Sequence, residues 1–239
     1  GSIGGGNGNT VKGYGAVIAG GLANSALGYG ASIPGGESNL ATALAAYSFI
    51  GGGWRNVANA SFAVVSGGIL NTASGVRSAV AGGTANTASA YAASVTGGHK
   101  NVASHTYAAI GGGHDNAAQA YAATVSGGVG NAALGYAAAI AGGDTNLATL
   151  LATYSFIGGG WHSVVNASYA VVNGGSLNAA SGMYSALGGG HRNTASAPRT
   201  SVGGGVGNAA LQEYGSIGGG NGNTVKGYGA VIAGGLANS

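Results

Sequence analysis

The chain has no cysteine, so neither disulfides nor thiolate metal sites can contribute to it. Charge is almost as scarce: Asp, Glu, Lys and Arg make up 5% of 239 residues, against about 25% in an average globular protein. The four acids, Glu37, Asp115, Asp144 and Glu213, are scattered, which removes the paired carboxylates that general acid–base catalysis uses. The seven Lys and Arg residues form no basic cluster, and a formal net charge of +3 spread this thinly leaves no footprint for nucleic acid. Proline occurs twice, at Pro34 and Pro198. No uninterrupted apolar run reaches the roughly 18 residues that a membrane-spanning helix needs, so this segment is not expected to insert into a bilayer. Disorder is also excluded, because the chain is rich in Ala, Val and Ile and these are patterned.

What the chain has in excess is glycine, 54 residues, and it is periodic. A Gly pair follows a β-branched residue about every 15 residues through sixteen units, from Ile3-Gly4-Gly5-Gly6 and Ile18-Ala19-Gly20-Gly21 to Ile232-Ala233-Gly234-Gly235. An Asn lies three residues after the second Gly of every unit, including Asn71, Asn86, Asn101, Asn116, Asn131 and Asn146, with Ser163 as the one exception. Two units are 17 residues long, at Pro34 to Gly51 and Ala141 to Gly158. These lie 107 residues apart, and residues 1–107 align without gaps on 108–214. Residues 215–239 then repeat residues 1–25 unchanged. The whole chain, 1–239, therefore reads as one continuous array with super-repeats 1–107, 108–214 and a partial 215–239, a window on something longer. The opening Gly1-Ser2 recurs at Gly215-Ser216 and so belongs to the repeat.

A fixed short period is the mark of a stacked, quasi-one-dimensional fold. We number each unit from the residue before the Gly pair, so that Ala19 is position 1. Position 15 is Val or Ile in every unit except at Leu187, which is strand chemistry. Position 13 is small, as at Ala16, Ala31 and Ser48, and shares a face with position 15 by strand alternation. Position 8 is almost always Ala, and twelve Tyr recur at position 11 or 12. Abundant Gly and β-branched alternation both oppose a helix. Each unit thus predicts two short strands joined by two corners, with the Gly pair supplying positive φ at one corner. The fold class is all-β: a parallel β-roll or β-solenoid of sixteen ~15-residue coils stacked about 4.8 Å apart. Such a hydrogen-bonded stack gives rigidity without disulfides. The Val/Ile column either fills the interior or forms an apolar stripe that association of several chains would cover. The Asn column is either a hydrogen-bonded ladder from coil to coil or a row of residues that tolerate a left-handed turn.

Segments such as Ala92-Ala93-Ser94-Val95-Thr96-Gly97-Gly98-His99-Lys100-Asn101-Val102-Ala103-Ser104 and Tyr121-Ala122-Ala123-Thr124-Val125-Ser126-Gly127-Gly128-Val129-Gly130-Asn131 resemble the YadA-like head repeats of trimeric autotransporter adhesins. The resemblance covers essentially the whole chain, in register through sixteen repeats. It implies a left-handed roll, three identical chains side by side, and extracellular display on a bacterial surface by an outer-membrane anchor elsewhere in the protein. The neck, coiled-coil stalk and barrel of that family are absent from this sequence, and the super-repeat is more regular than the family's.

No catalytic, cofactor-binding or metal-binding residues are expected. The Gly-rich segments occur in every coil with no Lys-Ser/Thr and no helix after them, so they are turns and not phosphate loops. His99 and His114 stack at position 4 of neighbouring coils, but no third ligand repeats with them, and they read as exposed loop histidines. Lys100 and Asp115, at position 5 of the same coils, read as a solvated ion pair. Asn59-Ala60-Ser61 and Asn166-Ala167-Ser168 match the N-glycosylation acceptor pattern and read as chance. The candidate contact patch belongs to the long coils: Leu44, Phe49, Trp54 and Phe62, recurring as Leu151, Phe156, Trp161 and Tyr169. Trp is enriched at binding hot spots; the competing reading is a small bulge that Trp covers. The partners expected are the chain itself, as a homotrimer or filament, and an unidentified host or neighbouring-cell surface. The function expected is that of a structural and adhesive extracellular rod with many weak repeated contacts. An architectural filament or sheath is the alternative. Ice binding would need an unbroken Thr ladder, and the column of Thr10, Thr72, Thr87, Thr194 and Thr224 is interrupted by Ser25, Leu40, Val57, Val102 and Ala117.

Overall fold

The computed structural model describes residues 1–239. It is an all-β parallel β-solenoid of about 15 turns with no helix, and hence with no helix long and apolar enough to cross a membrane. It divides into two compact units, Gly1–Ala118 and Gln119–Ser239.

In the first unit, positions 14–15 form one parallel ladder, from Ser2–Ile3 through Val17–Ile18 and onward to Ala109–Ile110. Positions 7–8 form a second, from Thr10–Val11 to Ala117–Ala118. The second unit repeats the arrangement, from Thr124–Val125 to Val231–Ile232 and from Ala132–Ala133 to Thr224–Val225. Each strand pairs with the residue in the same position of the next coil, Thr72 with Thr87 and Ala79 with Ser94. Around the long coils the register holds: Leu40 pairs with Val57 and Ala139 with Phe156. The two additional residues are therefore absorbed outside the ladders.

The sequence reading of two strands per coil is incomplete. A third column of single-residue bridges runs through position 4: Asn7, Leu22, Glu37, Trp54, Ile69, Thr84, His99 and His114 in the first unit. The second unit has its own, from Val129 to Leu236. At this column the chain bonds in both directions. Thr84 N–H donates to the Gly98 carbonyl of the following coil (2.9 Å), and Ala85 N–H donates to Ile69 of the preceding one (2.8 Å). That reversal requires position 5 to be left-handed, and it is, at φ 57° for Ala85 and 52° for Arg55. The same happens at position 12, where Tyr47 at φ 55° donates its N–H back to Tyr29. Non-Gly residues pay conformational energy there, and bonding to both neighbours holds them in place.

The Gly pair is not uniform. Its second member, position 3, has positive φ in every coil: Gly68 lies at +87°, and a Cβ there would collide with the Gly83 carbonyl oxygen. The first member reaches positive φ only at Gly52, Gly159 and Gly189. Gly67, the partner of Gly68, has open space around the missing Cβ and an ordinary φ.

The interior is closed within the chain. Ile18, Ile33, Val65 and Val80 are fully buried, together with Ala26, Ala73, Ala31 and Ala63 and the Asn column. Of the two readings of the Val/Ile column, the filled interior is the one observed. No apolar stripe of position 15 is left for another chain to cover. Each buried Val or Ile contributes roughly 1.5–3 kcal/mol, whereas the Ala around it adds little.

Candidate functional site

The Asn column is structural: it is a hydrogen-bonded ladder from coil to coil, and not a row of residues in a left-handed turn. The left-handed residue is the one before the Asn. The ladder is amide-to-backbone. Asn86 Oδ1 accepts the Asn101 N–H (2.9 Å), while its Nδ2 donates to Gly82 O of its own coil and Gly98 O of the next (2.9 Å each). Asn71, Asn101 and Asn146 repeat this scheme. Asn116 donates to Gly112 O, and Asn131 to Gly127 O and Gly143 O. Amide-to-amide bonds join Asn146 to Asn131 and Asn238 to Asn223. All six sequence-predicted ladder residues are buried, out of reach of a partner. At Ser163 the column fails: its N–H still reaches Asn146 Oδ1 (2.9 Å), but its own buried hydroxyl has no hydrogen-bond partner.

The two extra residues of each long coil make an additional tight turn. Ala45 N–H donates to Thr42 O and Ala152 N–H to Thr149 O, both 3.0 Å. The following coil fastens it. Thr42 Oγ1 donates to Asn59 Oδ1 (2.8 Å), and Ser61 Oγ donates to the Leu44 carbonyl (3.4 Å). Thr149–Asn166 and Ser168–Leu151 repeat the clamp at 2.6 and 3.3 Å. The Asn-Ala-Ser matches are thus the fittings of this turn.

The candidate patch is spread over three elements. Leu44 and Leu151 stand on the extra turn, Phe49 and Phe156 point outward from strands, and Trp54 and Trp161 occupy the bridge column at the other corner. Trp does not cover the added residues: Leu44 is 72% exposed, and the Trp54 ring lies 4.5 Å from the Arg55 guanidinium. Trp161 meets His162 edge-on at 4.3 Å. Phe62 and Tyr169 belong to a different and larger feature.

That feature is a ladder of exposed rings along the second corner of each unit. In the first unit Tyr14, Tyr29, Tyr47 and Phe62 follow one another at 5.5, 5.2 and 5.5 Å between centroids. Arg77 comes next in the column and donates to the Tyr91 hydroxyl (2.8 Å), and Tyr91 meets Tyr107 at 5.7 Å. In the second unit Tyr121, Tyr136, Tyr154, Tyr169 and Tyr184 are spaced at 5.0, 5.4, 5.5 and 4.9 Å. Arg199 bridges Tyr184 and Tyr214 at 6.0 and 5.3 Å and pairs with Glu213 at 2.8 Å. Tyr214 then meets Tyr228 at 5.4 Å.

Ring orientation follows position. Neighbours in the same position stack nearly flat, at 7° for Tyr121–Tyr136 and Tyr169–Tyr184. Where the aromatic moves between positions 11 and 12, the rings turn edge-on: 70° at Tyr29–Tyr47, 72° at Tyr136–Tyr154 and 88° at Tyr91–Tyr107. At two of these steps a hydroxyl-to-hydroxyl hydrogen bond raises a phenol above its usual range, Tyr47 through Tyr29 and Tyr136 through Tyr154. The recurrence of Tyr was visible in the sequence, but its merging into one column was not, because two positions share the corner.

Neither unit contains a cavity. The expected ion pair of Lys100 with Asp115 does not form; Asp115 turns to His114 Nδ1 at 3.1 Å. A scan of protein-family models matches none of them, and no curated protein matches the sequence.

Proposed function

We propose that this chain is a non-enzymatic, structural and adhesive extracellular protein that attaches to host or neighbouring-cell surfaces through the exposed ring ladder. The ladder carries the reading. Rings that complete no core are held in the solvent at a regular spacing of about one per coil, a form suited to many weak contacts that act together. Exposed aromatic side chains present large contact area at low entropic cost. Display on a bacterial outer membrane, a left-handed coil and a three-chain assembly extend the proposal, and they rest on the resemblance to YadA-like heads. The filled Val/Ile interior gives no separate reason for three chains to associate.

A second reading is favoured by the periodicity itself. Two ladders with the same spacing can meet ring for ring, so an architectural filament in which copies pack laterally would use the same surface. Beads coated with the full chain, applied to cell monolayers and imaged beside free protein, separate the two. Attachment with dispersed free protein supports adhesion. Bundled free protein without attachment supports the filament. Free protein that neither attaches nor bundles contradicts both.

A further inference from the structure

His99 and His114 occupy the bridge column of neighbouring coils in the first unit and pair with one another in parallel register. Their ring centroids are 4.8 Å apart, with planes inclined at 33°. His114 is exposed, and its Nδ1 lies 3.1 Å from Asp115 Oδ2. One imidazole nitrogen committed to a carboxylate, with the other left open, is the arrangement a metal-bound histidine adopts. Two other histidines keep different company: His191 Nδ1 meets the Ser176 hydroxyl, and His162 packs against Trp161.

The pair also stands outside the copied pattern. One super-repeat on, His99 becomes Val206, and His114 corresponds to Asn7 and Asn221; Asp115 corresponds to Gly8 and Gly222. Two histidines and an acid therefore replace an apolar residue, an amide and a glycine in adjacent coils. Glycine would meet the left-handed φ of 54° at Asp115 more easily.

We propose that His99 and His114 form a two-nitrogen site for a divalent transition-metal ion, Cu2+ before Ni2+ and Zn2+, with Asp115 as a positioning residue behind His114. Imidazole suits these ions, and the order follows their general affinity for nitrogen ligands. No group of three or more His, Cys, Asp or Glu is assembled in the protein, so water or a donor from a second molecule completes the coordination. The ion would join two coils that are otherwise linked there by backbone pairing and the contact between the two rings.

The test is calorimetric titration of the full chain with Cu2+ alone, with the visible absorption and paramagnetic resonance spectra of the bound ion as a second readout. One equivalent with a nitrogen-ligand spectrum is expected. His99→Ala and His114→Ala each weaken binding at least tenfold and change the spectrum, Asp115→Asn weakens it about tenfold with the two-nitrogen spectrum retained, and His162→Ala changes nothing. These side chains are not buried, so circular dichroism should be the same for all variants. Unchanged binding in both His99→Ala and His114→Ala, or an equal loss in His162→Ala, overturns the proposal.

Discussion

Asn86 shows how much one side chain can hold in a coil this thin. Its amide satisfies the Asn101 N–H and two Gly carbonyls. Asn86→Ala leaves those groups without partners in a dry interior, at about 1–3 kcal/mol for a donor so stranded. A loss on the order of 3 kcal/mol is expected in urea unfolding. Ser163→Asn should act in the opposite direction, because it offers an acceptor to the next coil and donors to Gly159 and Gly175 where the column now fails. A gain of roughly 1–3 kcal/mol would appear as a higher denaturation midpoint. The Gly pair gives a contrast within two residues. Gly67→Ala should be neutral or stabilising by about 0.4–1 kcal/mol. Gly68→Ala, with a positive φ and the Gly83 carbonyl oxygen in its way, should destabilise by more than about 1 kcal/mol. Equal effects of the two substitutions would contradict the assignment. At high pH the raised phenols matter. The folded-state shift of Tyr47 and Tyr136 is upward, so their contribution is intact below the ordinary tyrosine range and is lost as pH rises through the raised values. Tyrosinate absorbance should show a late-titrating component that shrinks in Tyr47→Phe and Tyr136→Phe.

At the scale of the elements, the period, the β class, the two main ladders and the location of the extra residues were legible, because each rests on residue type: β-branched at 15, Ala at 8, Gly at 3. The third bridge was not. Position 4 holds Asn7, Leu22, Glu37, Trp54 and Thr84, and no preference marks it, since only its backbone bonds. The left-handed positions 5 and 12 were hidden for the same reason: Arg55, Lys100 and Leu70 adopt φ values that composition would assign to Gly. The candidate patch was visible residue by residue, but the coil distributes its Leu, Phe and Trp over separate elements. The extra turn is expected to be a fitted accessory. Removing Ala43 and Leu44 together should leave a folded coil, because the register around the long coil already holds. Cooperative unfolding with an unchanged circular dichroism spectrum would show it, and loss of the fold would mean that the turn contributes to closing the coil.

At the scale of the whole molecule, the coils satisfy themselves inward and leave their rings outward, and the proposed function rests on that division. Backbone bonds, Asn amides and Val/Ile packing account for the stack; the Tyr, Phe and Arg of the second corner are additional to it. Stability and attachment should therefore be separable. The most direct measurement is a graded series in the full chain, replacing one, two and then four of Tyr121, Tyr136, Tyr169 and Tyr184 by Ser, with thermal unfolding and attachment of coated beads to cells recorded for each. The expected result is a melting temperature that stays nearly constant while attachment falls more steeply than the number of rings removed, as multivalent contacts require. Attachment that survives the loss of all four rings, or a fold that collapses with them, would contradict the division.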